Sequence, residues 1–337
     1  MYYLGMDVHA RMTMVCVLDS NGKHVLTKKV CGVPGMVVLA VQEFKKQLRG
    51  SLSICFEASC GYGWLYDRLA PLAERVVVAH PGQVRMIFRS KRKSDRIDAE
   101  KLAKLLFLNE VPPVHVPQAD GRAWRRMIEY RCRLIVKQTA VKNTLKALLR
   151  THGIVPPRSL WSQKGLVWLA KQDLDRFGEL ERDQLLEQLS QCREQLKRVE
   201  KALDERARRE PAVALLQTIP GVGPRTAEAV AAYIDDPKRF HANRAIGCYF
   251  GLVPCEDSSG PQRLGHITKE GPGSVRRLLV QAAWQAKRRD KQWQMVFERI
   301  VNGDPDRRKI AIVALAHRLA RVMLAMLKNG ECYRAAA

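Results

Sequence analysis

The first hundred residues switch repeatedly between two hydrophobic periods, and that alternation restricts the fold more than any other feature of the chain. Tyr2 to Val8 (YYLGMDV) and Met12 to Leu18 (MTMVCVL) are β-type runs. Ser20-Asn21-Gly22 follows as a tight-turn signal, since Asn-Gly tolerates the positive φ that hairpin turns require, and His24 to Val30 returns as a third strand. The apolar spacing is helical from Pro34 to Leu48 and strand-like over Leu52 to Glu57 (LSICFE). It is helical again from about Gly63 to Ala73, strand-like from Arg75 to His80, and strongly amphipathic from Asp95 to Leu108. A three-strand meander followed by strand–helix alternation predicts a mixed sheet with helices on its faces. This is the chain order of the α/β ribonuclease H-like fold, in which strands one and four are neighbours at the centre.

The middle of the chain reads as helix. Gln118 to His152 forms one long helical stretch with a basic stripe of Arg122, Arg126, Arg133 and Lys137, closed by Pro156-Pro157. Leu185, Leu189, Cys192, Leu196, Val199 and Leu203 then step by alternating fours and threes, a heptad seam. The seam fits a coiled coil or one helix of an antiparallel hairpin. Its partner would be the long helix, through Leu134, Val141, Leu145 and Leu148, or the same seam on a second protomer. From Pro211 onward a mainly α segment contains LLQTIPGVGPRTAEAVAAYI and a Gly-rich loop from Gly251 to Gly273. The expected division is an α/β domain over 1–115, long helices with a coiled-coil seam over 116–210, and a mainly α domain with a helix–hairpin–helix over 211–337.

Lys plus Arg number 58 against 34 for Asp plus Glu, a net charge of +24. Such an excess fits a polyanionic partner, nucleic acid or a membrane surface. The most apolar stretch, Ile310 to Leu327, is interrupted by His317, Arg318 and Arg321, so no membrane span is expected, and the N-terminus lacks the pattern of a signal peptide. Nine cysteines with no CxxC pair predict reduced, mostly buried thiols in a cytosolic protein, with Cys16, Cys55, Cys60 and Cys248 in apolar surroundings.

Four acids stand out. Asp7 lies inside an apolar strand, where a carboxylate is costly without a partner. Glu57 ends LSICFE, and Asp95 and Asp98 share one face in the first turn of a helix. With strands one and four adjacent, all four would converge, and their mutual repulsion calls for a cation. Hard divalent ions, Mg2+ or Mn2+, suit such an oxygen cluster and can promote phosphodiester cleavage. In the last third, Ile219 to Thr226 (IPGVGPRT) joins two apolar helices through Gly221 and Gly223. Such a hairpin can offer backbone N–H groups to a phosphate, with Arg225 beside it.

The stretches GMDVHA, CFEASCGYG and KSDRIDAEKLA resemble the aspartate–glutamate–aspartate–aspartate tetrad of the bacterial insertion-sequence transposases called the "one-ten" family, whose N-terminal domain is similar to the junction resolvase RuvC. The likeness continues through the hairpin, GLVP, SSG and GHITKEG, and so covers nearly the whole chain. It implies that Asp7, Glu57, Asp95 and Asp98 are metal-binding catalytic acids. It also implies a nucleophilic serine in the loop Glu256 to Gly260, by position Ser259 with Ser258 the near alternative. Arg263, Lys269, Arg276 and Arg277 would hold the scissile phosphate. The resemblance further implies donor and target DNA as substrates, a noncoding bridge RNA as guide, and a homo-oligomer, dimers assembling to a tetramer, acting in the bacterial cytoplasm at the nucleoid. Three other readings compete. A junction nuclease would use the acids with water as nucleophile. A sugar-kinase- or actin-like ATPase would need a Gly-rich loop after the first strand, which Asp7-Val8-His9-Ala10-Arg11 does not supply. A non-catalytic nucleic-acid binder leaves Asp7 unexplained.

Overall fold

A computed structural model describes residues 1–87, 94–256 and 264–334. The elements, in chain order, begin with β1 (Tyr2–Val8), β2 (Met12–Leu18), β3 (His24–Cys31), α1 (Pro34–Leu48), β4 (Leu52–Glu57) and α2 (Tyr62–Leu69). They continue with β5 (Arg75–Ala79), α3 (Pro81–Ile87), α4 (Asp95–Phe107), α5 (Ala119–Thr151), α6 (Gln163–Ala170) and α7 (Arg176–Arg208). The remainder comprises α8 (Pro211–Leu216), α9 (Pro224–Ile234), α10 (Ala245–Tyr249), β6 (Pro254–Glu256), β7 (Leu264–Ile267), α11 (Gly273–Arg289), α12 (Lys291–Val301) and α13 (Arg308–Asn329). Two compact units result, Met1–Arg122 and Ala123–Ala337.

The first unit is built on a mixed sheet of order β3-β2-β1-β4-β5. The β1–β2–β3 meander is antiparallel, and β1 pairs parallel with β4 and β4 with β5. This arrangement is compatible with a ribonuclease H-like domain and puts strands one and four side by side, as the chain order predicts. Asp19 fixes the first turn: its Oδ1 accepts from the backbone N–H groups of Asn21 (2.8 Å) and Lys23 (2.9 Å), and Gly22 takes φ +76°. β4 is buried from Leu52 to Phe56 because helices cover both faces of the sheet centre. At the edge, β3 exposes Lys28 and Lys29, charges that discourage pairing with another strand. Leu4, Met6, Ile54 and Phe56 pack with Val37, Val41 and Phe44 of α1 and with Leu65 and Leu69 of α2. The opposite face, through Cys16 and Cys55, packs on α3 and α4. The second helix stops at Leu69, short of the expected Ala73, because Pro71 cannot extend an α-helix, and a 3-10 turn over Ala70–Leu72 takes its place.

In the second unit α5 and α7 run antiparallel. Arg131 Nε donates to Glu200 Oε1 (2.8 Å) near one end, and His152 Nε2 meets Asp175 Oδ2 (2.7 Å) near the other. Leu189, Leu196, Val199 and Leu203 of the heptad seam are buried in the same clusters as Leu134, Val141 and Leu145 of α5, so the seam packs within the chain. The larger core joins α9, α11, α12 and α13, with closely packed alanines such as Ala227, Ala283, Ala316 and Ala320. By length and composition alone, the segment Pro305–Asn329 could cross a membrane. Its inward face, including Leu315, Leu319 and Leu324, is buried in this core. All nine cysteines are free. The expectation that most are buried is corrected: Cys31, Cys60, Cys248, Cys255 and Cys332 are exposed, Cys60 in the turn after β4 and Cys248 on the outer side of α10.

Candidate active site

Asp7 lies one residue before the end of β1. The parallel register, Met6 beside Phe56, carries on to set Asp7 beside Glu57 at the ends of two adjacent strands. Side chains alternate along a strand, so Gly5 and Asp7 face the same side as Cys55 and Glu57, the side covered by α4. Gly5 is what lets α4 approach. A Cβ there would overlap the Ala99 carbonyl oxygen and the Ala103 backbone nitrogen. With the helix laid on the bare strand, its first turn brings Asp95 and Asp98 to Asp7, and the helix dipole favours acids in that turn.

Burial pushes the Asp7 carboxyl above its usual range, the neighbouring His9 pulls it down, and Asp95 and Asp98 add to the rise. His9 Nε2 lies 3.2 Å from Asp7 Oδ2 and 3.9 Å from Asp95 Oδ1. Asp7, His9 and Asp95 each present a ligand atom within 4.8 Å of the other two, a group able to hold a metal ion. Asp98 pairs with Lys101 at 3.0 Å. His9 is a site residue that the motifs alone do not single out. Its signal is the Asp-x-His spacing, which returns the imidazole to the face that Asp7 occupies.

Two family profiles match the chain. The model of a DEDD-type transposase matches residues 4–154, which include all four acids, and that of the Transposase IS116/IS110/IS902 family matches residues 213–298. The chain belongs to this transposase family. A probable family 20 transposase of Pseudomonas aeruginosa is 28% identical over 98% of each chain. The transposase for insertion sequence element IS1111A of Coxiella burnetii is 27% identical over 99% of this chain and 92% of its own, and that for IS1328 of Yersinia enterocolitica is 27% identical over 83% and 85%.

The basic residues of the transposase fall into two groups. Some are tied into the protein. Arg122 bonds Asp67 and the Pro117 carbonyl, Arg225 pairs with Asp204 and with Glu228 (3.2 Å), and Arg276 Nη1 donates to the carbonyls of Phe250 and Glu270, both at 2.8 Å. Others are exposed: Arg126, Arg133, Lys269 and Arg277. Arg133, Lys137 and Arg277 line a cavity of about 450 Å3 between α5 and the start of α11. Among the described residues none of these three has an acidic partner. The one acid on the cavity wall, Glu129, accepts from Tyr233 Oη (2.6 Å) and from Ser274 Oγ.

The two hairpin glycines differ. Gly221 takes φ +89°, and a Cβ there would overlap the backbone of Gln285 and Ala286 in α11. Gly223 is exposed, caps α9 and has open space around it. Ser258, Ser259 and Arg263 lie outside the described residues.

Proposed function

We propose that this insertion-sequence transposase cleaves and exchanges DNA strands through a phosphoserine formed on Ser259, with Asp7, Glu57, Asp95 and Asp98 as the acids that hold a divalent cation. The observation that carries the acidic half is the meeting of Asp7 with Asp95 and Asp98 under a helix that only a glycine admits. Carboxylate oxygens are the donors that Mg2+ and Mn2+ take, and Asp95 and Asp98 add to the rise that burial causes at Asp7, so the residues fit the ion. When bound, such an ion offsets that charge and polarises a phosphodiester oxygen. Ser259 Oγ bonds to phosphorus as its hydroxyl loses a proton, and the leaving DNA oxygen takes one up. A hydroxyl at a second strand end then attacks the same phosphorus and restores the serine.

The turn between α8 and α9, a helix–hairpin–helix in this reading, presents backbone to phosphate at Gly223. Arg126, Arg133, Lys269 and Arg277 offer exposed cations to DNA and to a bridge RNA, and Arg263 is assigned the same role on the resemblance alone. Arg122, Arg225 and Arg276 hold nearby backbone and side chains in place while adding positive charge. The enzyme works as an oligomer in the bacterial cytoplasm, at the nucleoid.

Trapping a covalent protein–DNA adduct on a denaturing gel tests the mechanism. Wild type is expected to give an adduct that is absent in Ser259→Ala, in Asp98→Ala and in EDTA, and reduced in Ser258→Ala. An adduct of normal yield from Ser259→Ala would overturn the nucleophile, and metal-dependent cleavage with no adduct would favour water in its place.

A further inference from the structure

We propose that His9 is a ligand of the cation site, giving it one nitrogen through Nε2 and biasing it toward Mn2+ over Mg2+. The inference rests on the reading that the acids hold a divalent cation, and it goes beyond that reading by changing the donor set from all oxygen to mixed nitrogen and oxygen.

Three observations carry it. His9 stands one residue past the end of β1, and its imidazole reaches back to Asp7, on the side of the sheet that α4 covers. The His9 backbone N–H donates to the Met12 carbonyl (2.9 Å), which anchors the residue in the turn that joins β1 to β2. Its Nε2 is 3.2 Å from Asp7 Oδ2 and 3.9 Å from Asp95 Oδ1, so the imidazole stands among the donor atoms themselves.

The His9 side chain is 54% exposed, so core packing does not dictate an imidazole there. With the proton on Nε2 the ring donates to Asp7 Oδ2. With the proton on Nδ1 instead, Nε2 has a lone pair free for a cation. Imidazole nitrogen suits first-row transition ions better than Mg2+, whereas carboxylates accept either. One nitrogen among the acids would therefore shift the preference and leave the carboxylate chemistry intact.

The test uses the full-length protein with substoichiometric Mn2+ and pulsed electron paramagnetic resonance, which detects a directly bound 14N. Wild type is expected to show the coupling of one histidine nitrogen. His9→Gln and His9→Asp are both expected to lose it while keeping the wild-type circular dichroism. Mn2+ affinity should fall about tenfold or more in His9→Gln, with little change for Mg2+ measured by competition. His9→Asp should bind both ions but lose the Mn2+ preference. Bound Mn2+ without nitrogen coupling in wild type, or coupling that persists in His9→Gln, would overturn the proposal while leaving the acids as a cation site. Failure of Mn2+ to bind wild type any better than Asp7→Asn would instead overturn the cation reading and this inference with it.

Discussion

Asp7 in the first unit and Glu228 in the second are both acids withdrawn from water, and burial raises the carboxyl pKa of each. Their surroundings are opposite. Asp7 stands at a strand end with two further acids and an imidazole close by, and its side chain is 21% exposed. Glu228 is 1% exposed, faces Arg225 at 3.2 Å, and feels Arg131 as well. Burial of an acid is therefore not enough to mark a site. At Asp7 more negative charge has been gathered where a ligand can enter. At Glu228 arginine has been brought in to offset the charge inside a closed core. The first arrangement makes sense when a cation completes it, whereas the second already has its cation from the protein, Arg225, at 3.2 Å.

The contrast breaks most sharply at Gly5. Gly5→Val would drive a branched side chain into the backbone of α4 at Ala99 and Ala103. Ordinary overpacking costs roughly 1–3 kcal/mol. Helix backbone cannot move aside as a side chain can, so the cost here should reach about 3 kcal/mol or more. Chemical denaturation is expected to show the loss, and any folded fraction should have lost Mn2+ binding because Asp95 and Asp98 are carried away from Asp7. A variant that keeps both wild-type stability and Mn2+ affinity would show that close approach of α4 does not assemble the site.

Gly5 also shows how far the sequence can be read. Strands over Tyr2–Val8, Met12–Leu18 and Leu52–Glu57, and the helix Pro34–Leu48, are visible because their apolar periods are unbroken and bounded by turn residues. The neighbouring strands one and four, and hence the meeting of Asp7 with Asp95 and Asp98, follow from element order. A glycine in a strand, by contrast, reads only as a weak strand former until the helix crossing it is known. Helix α3 escapes notice because it has seven residues, one buried side chain (Val84), and a Pro81-Gly82 start that looks like a turn. His9 is easily overlooked because an exposed histidine after a strand has many uses, and only distances separate them. The heptad seam cannot choose its own partner, since α5 and a second copy of α7 offer the same apolar spacing. At the hairpin, Gly221 and Gly223 look equivalent in sequence, yet one is held by backbone contact with α11 and the other is open. Only substitution at Gly223 probes phosphate binding without disturbing the core.

Glu228 provides the next test. Its carboxyl is pushed from the ordinary 4.5 up to about 7, chiefly by burial, with Arg225 and Arg131 opposing the rise. Because the folded value lies above the unfolded one, its stabilising contribution is full below about pH 4.5 and is lost as pH rises toward about 7. At one pKa unit per ~1.4 kcal/mol, the loss is about 3 kcal/mol at most. Glu228→Gln cannot ionise, so it should gain on wild type across that window, with urea midpoints converging again below pH 4.5. Parallel pH–stability curves for the two proteins would mean that Arg225 offsets the carboxylate in full, and that Glu228 is an ordinary ion-paired acid.

The same distinction between paired and open charge applies to the cations, where the expected effects on stability are smallest. Arg225 is 16% exposed and shared between Asp204 and Glu228, whereas Arg133, Lys137 and Arg277 line an open cavity with no acidic partner among the described residues. Replacing those three with Gln should leave the denaturation midpoint nearly unchanged, because exposed side chains without an acidic partner contribute little to folding, and the contact of Arg133 with the Tyr130 ring is at the surface. Nucleic-acid binding should weaken broadly across sequences. The slope of log affinity against log salt should fall by roughly 0.9 for each duplex phosphate that is no longer neutralised, or roughly 0.7 on a single strand. Arg225→Gln is the converse case: it leaves Asp204 and the buried Glu228 without their cation, so its main cost should be in stability. If Arg225→Gln lowered the salt slope at unchanged stability while the triple variant lowered stability at an unchanged slope, the two groups of cations would have to exchange roles. A binding loss confined to particular sequences would point instead to base recognition, since a phosphate held in the cavity carries no sequence information.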